Sequence, residues 1–211
     1  MKHAKKAAAK RGPVPRATVR RPTQDRAHET VACLVEAART ALIKFGYSKT
    51  TTNHIAEIAG VGVGSLYQYF RNKDEIVAAV LRDFAAKMRE RMRHAVVSNI
   101  GRPMPVIIAA TIDQVVDAFV EERDLVRIVR QEVPARDGLR ELDAAHNEAI
   151  SSLAMLMRLV GAEADDVDLK AFVVFKAIDG VILGWLTDDK NRFTVDALKR
   201  ELTTVATRIL S

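Results

Sequence analysis

The chain has 211 residues, room for one large domain or a small one joined to a medium one. Hydrophobic residues make up 48% and charged residues 28%, the proportions of a packed globular protein. The single cysteine, Cys33, excludes an internal disulfide framework and suits a reducing cytosol.

The net charge of +6 is unevenly placed. Residues 1–26 carry nine of the 33 basic residues and one of the 27 acidic ones, leaving 24 against 26 for the rest. The basic balance therefore belongs to an N-terminal arm, residues 1–25, and not to the folded body. That arm has no apolar run, so it is not a secretory signal. Pro13, Pro15 and Pro22 argue against one continuous helix there. It reads either as a solubilising extension or as an arm that lies along DNA phosphates and adds salt-dependent affinity.

Along residues 27–45, Val31, Leu34, Val35, Ala38, Ala41, Leu42 and Phe45 recur at steps of three and four, which predicts an amphipathic helix. Gly46 is its natural stop. Thr51 is placed to cap a short second helix over 52–59, closed by Gly60. A third short helix is predicted through "GSLYQYF", residues 64–70. A long fourth one runs to about 98, with Asp74 and Glu75 in its dipole-favoured first turn and Ile76, Val80, Phe84, Met88 and Met92 inward.

Helical patterning continues over 104–121, 123–132, about 138–160, 165–187 and 194–210, with no persuasive strand. The fold class is all-α. The most apolar segment, 171–187, has Lys176 and Asp179 near its centre, each costing about 2.5–3.5 kcal/mol in a bilayer, so it predicts a buried or subunit-facing helix rather than a membrane span.

Two short helices joined by a tight glycine turn and packed on a longer preceding helix describe a helix-turn-helix. Ala56 is small where the helices approach, and Ile55, Val61, Leu66 and Phe70 supply the core that sets their angle. The second of the two then projects toward a major groove. Gly62, Val63, Gly64 and Ser65 open it with little bulk, Val63 suiting a thymine methyl and Ser65 a base or phosphate. Leu66 and Phe70 face inward, which leaves Tyr67 and Tyr69, two of only three tyrosines, on the outer side beside Lys73 for phosphate contact.

The stretch "GYSKTTTNHIAEIAGVGVGSLYQYFRNKDEI", 46–76, resembles the DNA-binding signature of tetracycline-repressor-like (TetR/AcrR) transcriptional regulators. The resemblance rests on Gly46-Tyr47, Thr50-Thr51, Ile55-Ala56, Ala59-Gly60-Val61 and Gly64 to Phe70 with Lys73, and it departs from the family pattern at Asn53 and Val63. It implies a helix-turn-helix domain over 26–75 that contacts double-stranded DNA through Thr51, Thr52, Asn53, Gly62, Val63, Gly64, Ser65, Tyr67, Gln68, Tyr69 and Lys73. It also implies a ligand-binding and dimerisation domain over 76–211, a cytoplasmic location, a palindromic operator and no catalytic activity.

In that C-terminal domain the candidate pocket residues are Phe84, Met88, Met92, Ile108, Thr111, Ile112, Val115, Phe119, His146, Met155 and Phe175. Arg130, Glu132 and Asn147 are further candidate polar anchors. Phe172, Lys176, Gly180 and Gly184, with Leu198, Leu202 and Val205, form the candidate homodimer interface. No metal-ligand spacing, phosphate loop or local catalytic signature is visible, so no cofactor and no metal are expected. The alternative reading is a DNA binder of the same fold without a small-molecule effector.

Overall fold

Pro22 opens the first helix of the computed structural model, which describes residues 22–133, 135–159, 166–188, 190 and 192–210. Proline has no N–H to lose in a first helical turn, and α1 (Pro22–Lys49) accordingly starts before the predicted residue 27. Residues 1–21 of the basic arm lie outside the described residues. Gly46, at φ 74°, ends the helix proper, and one further turn reaches Lys49. That backbone is strained for any other residue, and a Cβ there would also lie 2.8 Å from a Glu132 carboxylate oxygen. Thr50 is buried beneath the break, its hydroxyl 2.6 Å from the Gly46 carbonyl and 3.1 Å from that of Ala41.

Helix α2 (Thr52–Ala59) has the predicted cap: the His54 N–H donates to the Thr51 hydroxyl at 3.2 Å. Gly60 closes it in the left-handed region, at φ 66°. Helix α3 (Val63–Tyr67) is shorter than the predicted 64–70. After Tyr67 the chain turns so that Phe70 enters the core, while Asn72 begins the next helix. Asn72 accepts from the Glu75 N–H at 2.9 Å, and Glu75 reaches back to the Arg71 N–H at 2.6 Å. This reciprocal pair fixes the start of α4 (Lys73–Val97).

Helices α5 (Met104–Glu121), α6 (Arg123–Glu132), α7 (Ala135–Leu159), α8 (Val167–Thr187) and α9 (Val195–Leu210) follow. Among the described residues there is no strand, and no helix is long and apolar enough to cross a membrane.

The apolar stripes meet in two main clusters. In the first, Leu34, Ala38 and Leu42 of α1 pack with Ile55, Leu66 and Phe70, with Ile76, Val77, Ala79, Val80 and Leu81 of α4, and with Leu125 and Val129 of α6. Each fully buried Leu or Ile here is worth about 1.5–3 kcal/mol of transfer free energy. In the second, Ile108, Ile112 and Val116 of α5 pack with Val174, Ile182 and Leu186 of α8 and Leu198, Leu202 and Ala206 of α9. Phe84 of α4 packs against this second cluster. Helix α4 thus begins in one core and continues along the other. Arg39 of α1, buried with 6% exposure, reinforces the junction by pairing with Asp83 of α4 at 2.8 Å and with Glu122 between α5 and α6.

Candidate nucleic-acid interface and ligand cavity

Burial of Leu66 determines what the rest of α3 presents. Gly62, Val63, Gly64, Tyr67 and Gln68 are exposed, and Ser65 is half-buried. The Tyr67 hydroxyl lies 3.0 Å from that of Thr52, joining α3 to the first turn of α2, where Asn53 is also exposed. Thr51 spends its side-chain oxygen on capping. These residues form one surface, which the short turn at Gly60–Gly62 allows.

Two of the expected surface residues are placed differently. Tyr69 is half-buried and packs against the first core, because α3 ends before it and its ring turns inward. Lys73 is not a free cation. Its ammonium donates to the Tyr47 carbonyl at 2.8 Å and sits 3.9 Å over the Tyr47 ring. The Tyr47 hydroxyl in turn donates to Asp74 at 2.5 Å. Lys73 therefore ties the end of α1 to the start of α4. The exposed cations flanking the surface are Lys49, just before α2, and Arg71, just after α3. Sequence reasoning passed over both, although their position at the edges of the glycine-linked helix pair was the available signal.

A cavity of about 440 Å³ opens among α4, α5, α7, α8 and α9. Phe84, Met88, Met92, Ile108, Thr111, Ile112, Val115, Phe119, His146 and Phe175, all expected in a pocket, line it. Met155 does not: it is 63% exposed, because the neighbouring Ala154 and Met157 take the inward face of α7. Arg130, Glu132 and Asn147 also lie elsewhere, and Glu132 sits instead against Gly46. The structure adds Leu153, Leu156 and Met157 of α7 and Ile178 and Ile182 of α8. Their three- and four-residue spacing was legible, but which face of each helix meets α4 was not.

The cavity walls are aromatic and aliphatic. Phe84 and Phe119 meet edge to face at 5.6 Å, and His146 meets Phe175 in the same way at 5.1 Å. Thr111 turns its hydroxyl back to the Ile107 carbonyl at 2.8 Å. His146 Nε2 lies 3.8 Å from Asp179 Oδ1, and Arg89 pairs with Glu148 at 3.0 Å. The volume and lining match those of small-molecule sites.

Of the residues expected at a dimer interface, Phe172, Lys176, Gly180, Gly184 and Val205 are exposed, and Leu169, Val173 and Val181 extend their apolar face. Leu198 and Leu202 are buried in the chain's own second core, since α9 turns that stripe onto α5 and α8.

The comparisons with known proteins converge on one family. Residues 34–80 match "Bacterial regulatory proteins, tetR family", and residues 103–210 match "Tetracyclin repressor-like, C-terminal domain". The probable HTH-type transcriptional regulator ArpR of Pseudomonas putida is 29% identical over 180 residues, covering 79% of this chain and 84% of that protein. The HTH-type transcriptional regulator TtgR of Pseudomonas putida is likewise 29% identical over 181 residues, with the same coverage. The fatty acid degradation regulator FadR from Bacillus halodurans shares the fold at TM-score 0.69 and 18% identity, over 84% of this chain and 94% of that one. The two matched regions together take in the helix-turn-helix and helices α5 to α9, so the chain belongs to the tetR family of bacterial regulatory proteins and is a DNA-binding transcriptional regulator, not an enzyme.

Proposed function

We propose that the chain is a cytoplasmic repressor that binds a palindromic operator as a homodimer and is released by a small, mainly apolar effector. On this reading residues 1–25 form a basic arm, 26–75 the DNA-binding domain, and 76–211 the effector and dimerisation domain. The observation that carries it is the course of α4. Its residues Ile76, Val77, Val80 and Leu81 belong to the core that holds α2 and α3, while Phe84, Met88 and Met92 of the same helix form a wall of the cavity. A molecule that fills the cavity better in one tilt of α4 favours that tilt, and with it one separation of the two recognition surfaces.

Two half-sites on one duplex face require those surfaces to stand about 34–36 Å apart, or a multiple of that turn length. Small changes of α4 are therefore enough to break the match. The exposed face of Leu169, Val173, Gly180 and Gly184 on α8, with Val205 of α9, suits a two-fold helical interface. Val63, Tyr67, Gln68 and Asn53 are the proposed base and phosphate contacts, with Lys49 and Arg71 adding charge. The arm, with its eight basic residues, adds salt-dependent affinity.

The test is selection of genomic fragments by the purified full chain at moderate salt. A palindromic consensus, lost in Tyr67→Ala, is expected. Fragments retained without any sequence in common would sink the reading.

A further inference from the structure

The chemical class of the effector follows from a charge inventory of the cavity, and this inference rests on the effector reading above. Most of the wall is aliphatic or aromatic, so the few ionisable side chains decide which head group is tolerated. Among the lining residues, Arg89 is already paired with Glu148 at 3.0 Å. Arg93 is held by Glu90 at 2.5 Å within its own helix. Both pairs are exposed, their side chains 46% or more accessible, and solvent screens them.

Asp179 of α8 differs from these in both respects. Its side chain is only 17% exposed, and its one charged neighbour among the described residues is His146, at the long distance of 3.8 Å. An imidazole carries charge only when protonated, so it does not supply the permanent compensation that an arginine would. Lys176, the next cation along α8, is exposed and is not among the cavity-lining residues, and its ammonium is 5.9 Å from the Phe175 ring centroid. The least screened formal charge facing the empty volume is therefore negative, and it is flanked by the Phe175 ring.

An anion entering this space would meet the Asp179 carboxylate across a poorly screened gap. A neutral molecule would leave that carboxylate desolvated and without a full partner. A cation would be attracted to the carboxylate and to the face of an aromatic ring together.

We infer that the effector is an amphipathic cation: an apolar body that occupies the Phe84–Phe119 end, and an ammonium or guanidinium-like head bound by Asp179 beside Phe175 and His146. Asp179 is the specificity-determining residue of the cavity. His146 is its neighbour on the α7 side, at 3.8 Å.

The experiment is calorimetric titration of the full-length protein with three probes of one chain length: decylammonium, decanol and decanoate. Decylammonium is expected to bind about tenfold or more tightly than either of the others. In Asp179→Asn that preference should collapse while decanol binding is retained, and the wild-type ranking alone decides if that variant does not fold. Equal binding of the three probes, or a preference for decanoate, would overturn the cation inference and leave the effector reading standing. Failure of all three to bind the wild-type protein would overturn both.

Discussion

The ammonium of Lys73 sits 3.9 Å over the ring of Tyr47 and donates to the Tyr47 carbonyl at 2.8 Å, closing the end of α1 onto the start of α4. Tyr47 completes the arrangement by donating to Asp74. Lys73, which reads in sequence as a phosphate contact, thus forms a clamp with Tyr47 and Asp74 behind the candidate recognition surface.

The clamp separates structural from DNA-contact effects. Lys73→Ala removes a cation–π contact and a charged hydrogen bond, and should cost about 1–2 kcal/mol of stability, seen as a lowered Tm. Its salt dependence of operator binding should match wild type. Lys49→Ala and Arg71→Ala should leave Tm alone and each lower the slope of log affinity against log salt by about one. Fluorescence anisotropy across a salt series, with melting curves, distinguishes the two classes. A reduced slope in Lys73→Ala would return that residue to the phosphate-contact set.

Filling the cavity should uncouple effector from DNA. Val115→Trp places an indole in the cavity, at an overpacking cost of about 1–3 kcal/mol. Operator affinity should stay within about threefold of wild type, because Val115 lies outside the core that holds α2 and α3. Binding of an apolar probe should be lost. Titration of the DNA complex with such a probe checks this, the expected result being release from wild type only.

Arg39 should matter more than surface ion pairs. Its guanidinium is buried against Asp83 and Glu122, and its removal leaves both carboxylates without their shared partner. Arg39→Ala is expected to cost about 2–3 kcal/mol, below the 3–5 of a fully buried pair because both carboxylates keep some solvent. Arg39→Met should recover part of that loss by restoring packing volume. Urea unfolding curves give both numbers.

The α4–α5 contact should weaken in acid. Arg91, donating to the Glu121 carboxylate, holds Glu121 below the usual carboxylate range. A carboxyl lowered in the folded state contributes stability that is fully present above its unfolded pKa. That contribution is lost as pH falls through the folded value. Because the pair is solvent-exposed it is worth less than about 1 kcal/mol. Glu121→Gln should therefore lower Tm slightly at pH 7 and leave Tm at pH 3 closer to wild type. Equal losses at both pH values would assign the effect to packing.

Several elements were legible because they are local. The stripe from Val31 to Phe45, the break at Gly46, the Thr51 cap and the Gly60 turn depend on periodicity, one hydroxyl and positive φ. The helix-turn-helix and its family followed from residues close together in the chain. The set around the cavity was nearly legible too, since Phe84, Met88 and Met92 on α4 and Ile108, Thr111, Ile112 and Val115 on α5 each form an inward stripe.

What the sequence determined by itself was the all-α architecture, the helix-turn-helix with its family, and the apolar lining of the cavity. Tertiary structure decided which like-looking residues serve which purpose. Lys73 became a clamp, Tyr69 part of a core, Leu198 and Leu202 internal packing, and Asp179 a cavity-lining carboxylate 3.8 Å from His146. The physical reason is that periodicity states that a face is apolar, while only the neighbouring helix states what covers it. A charge likewise acquires its meaning from its partners' distance and from how much water remains around it.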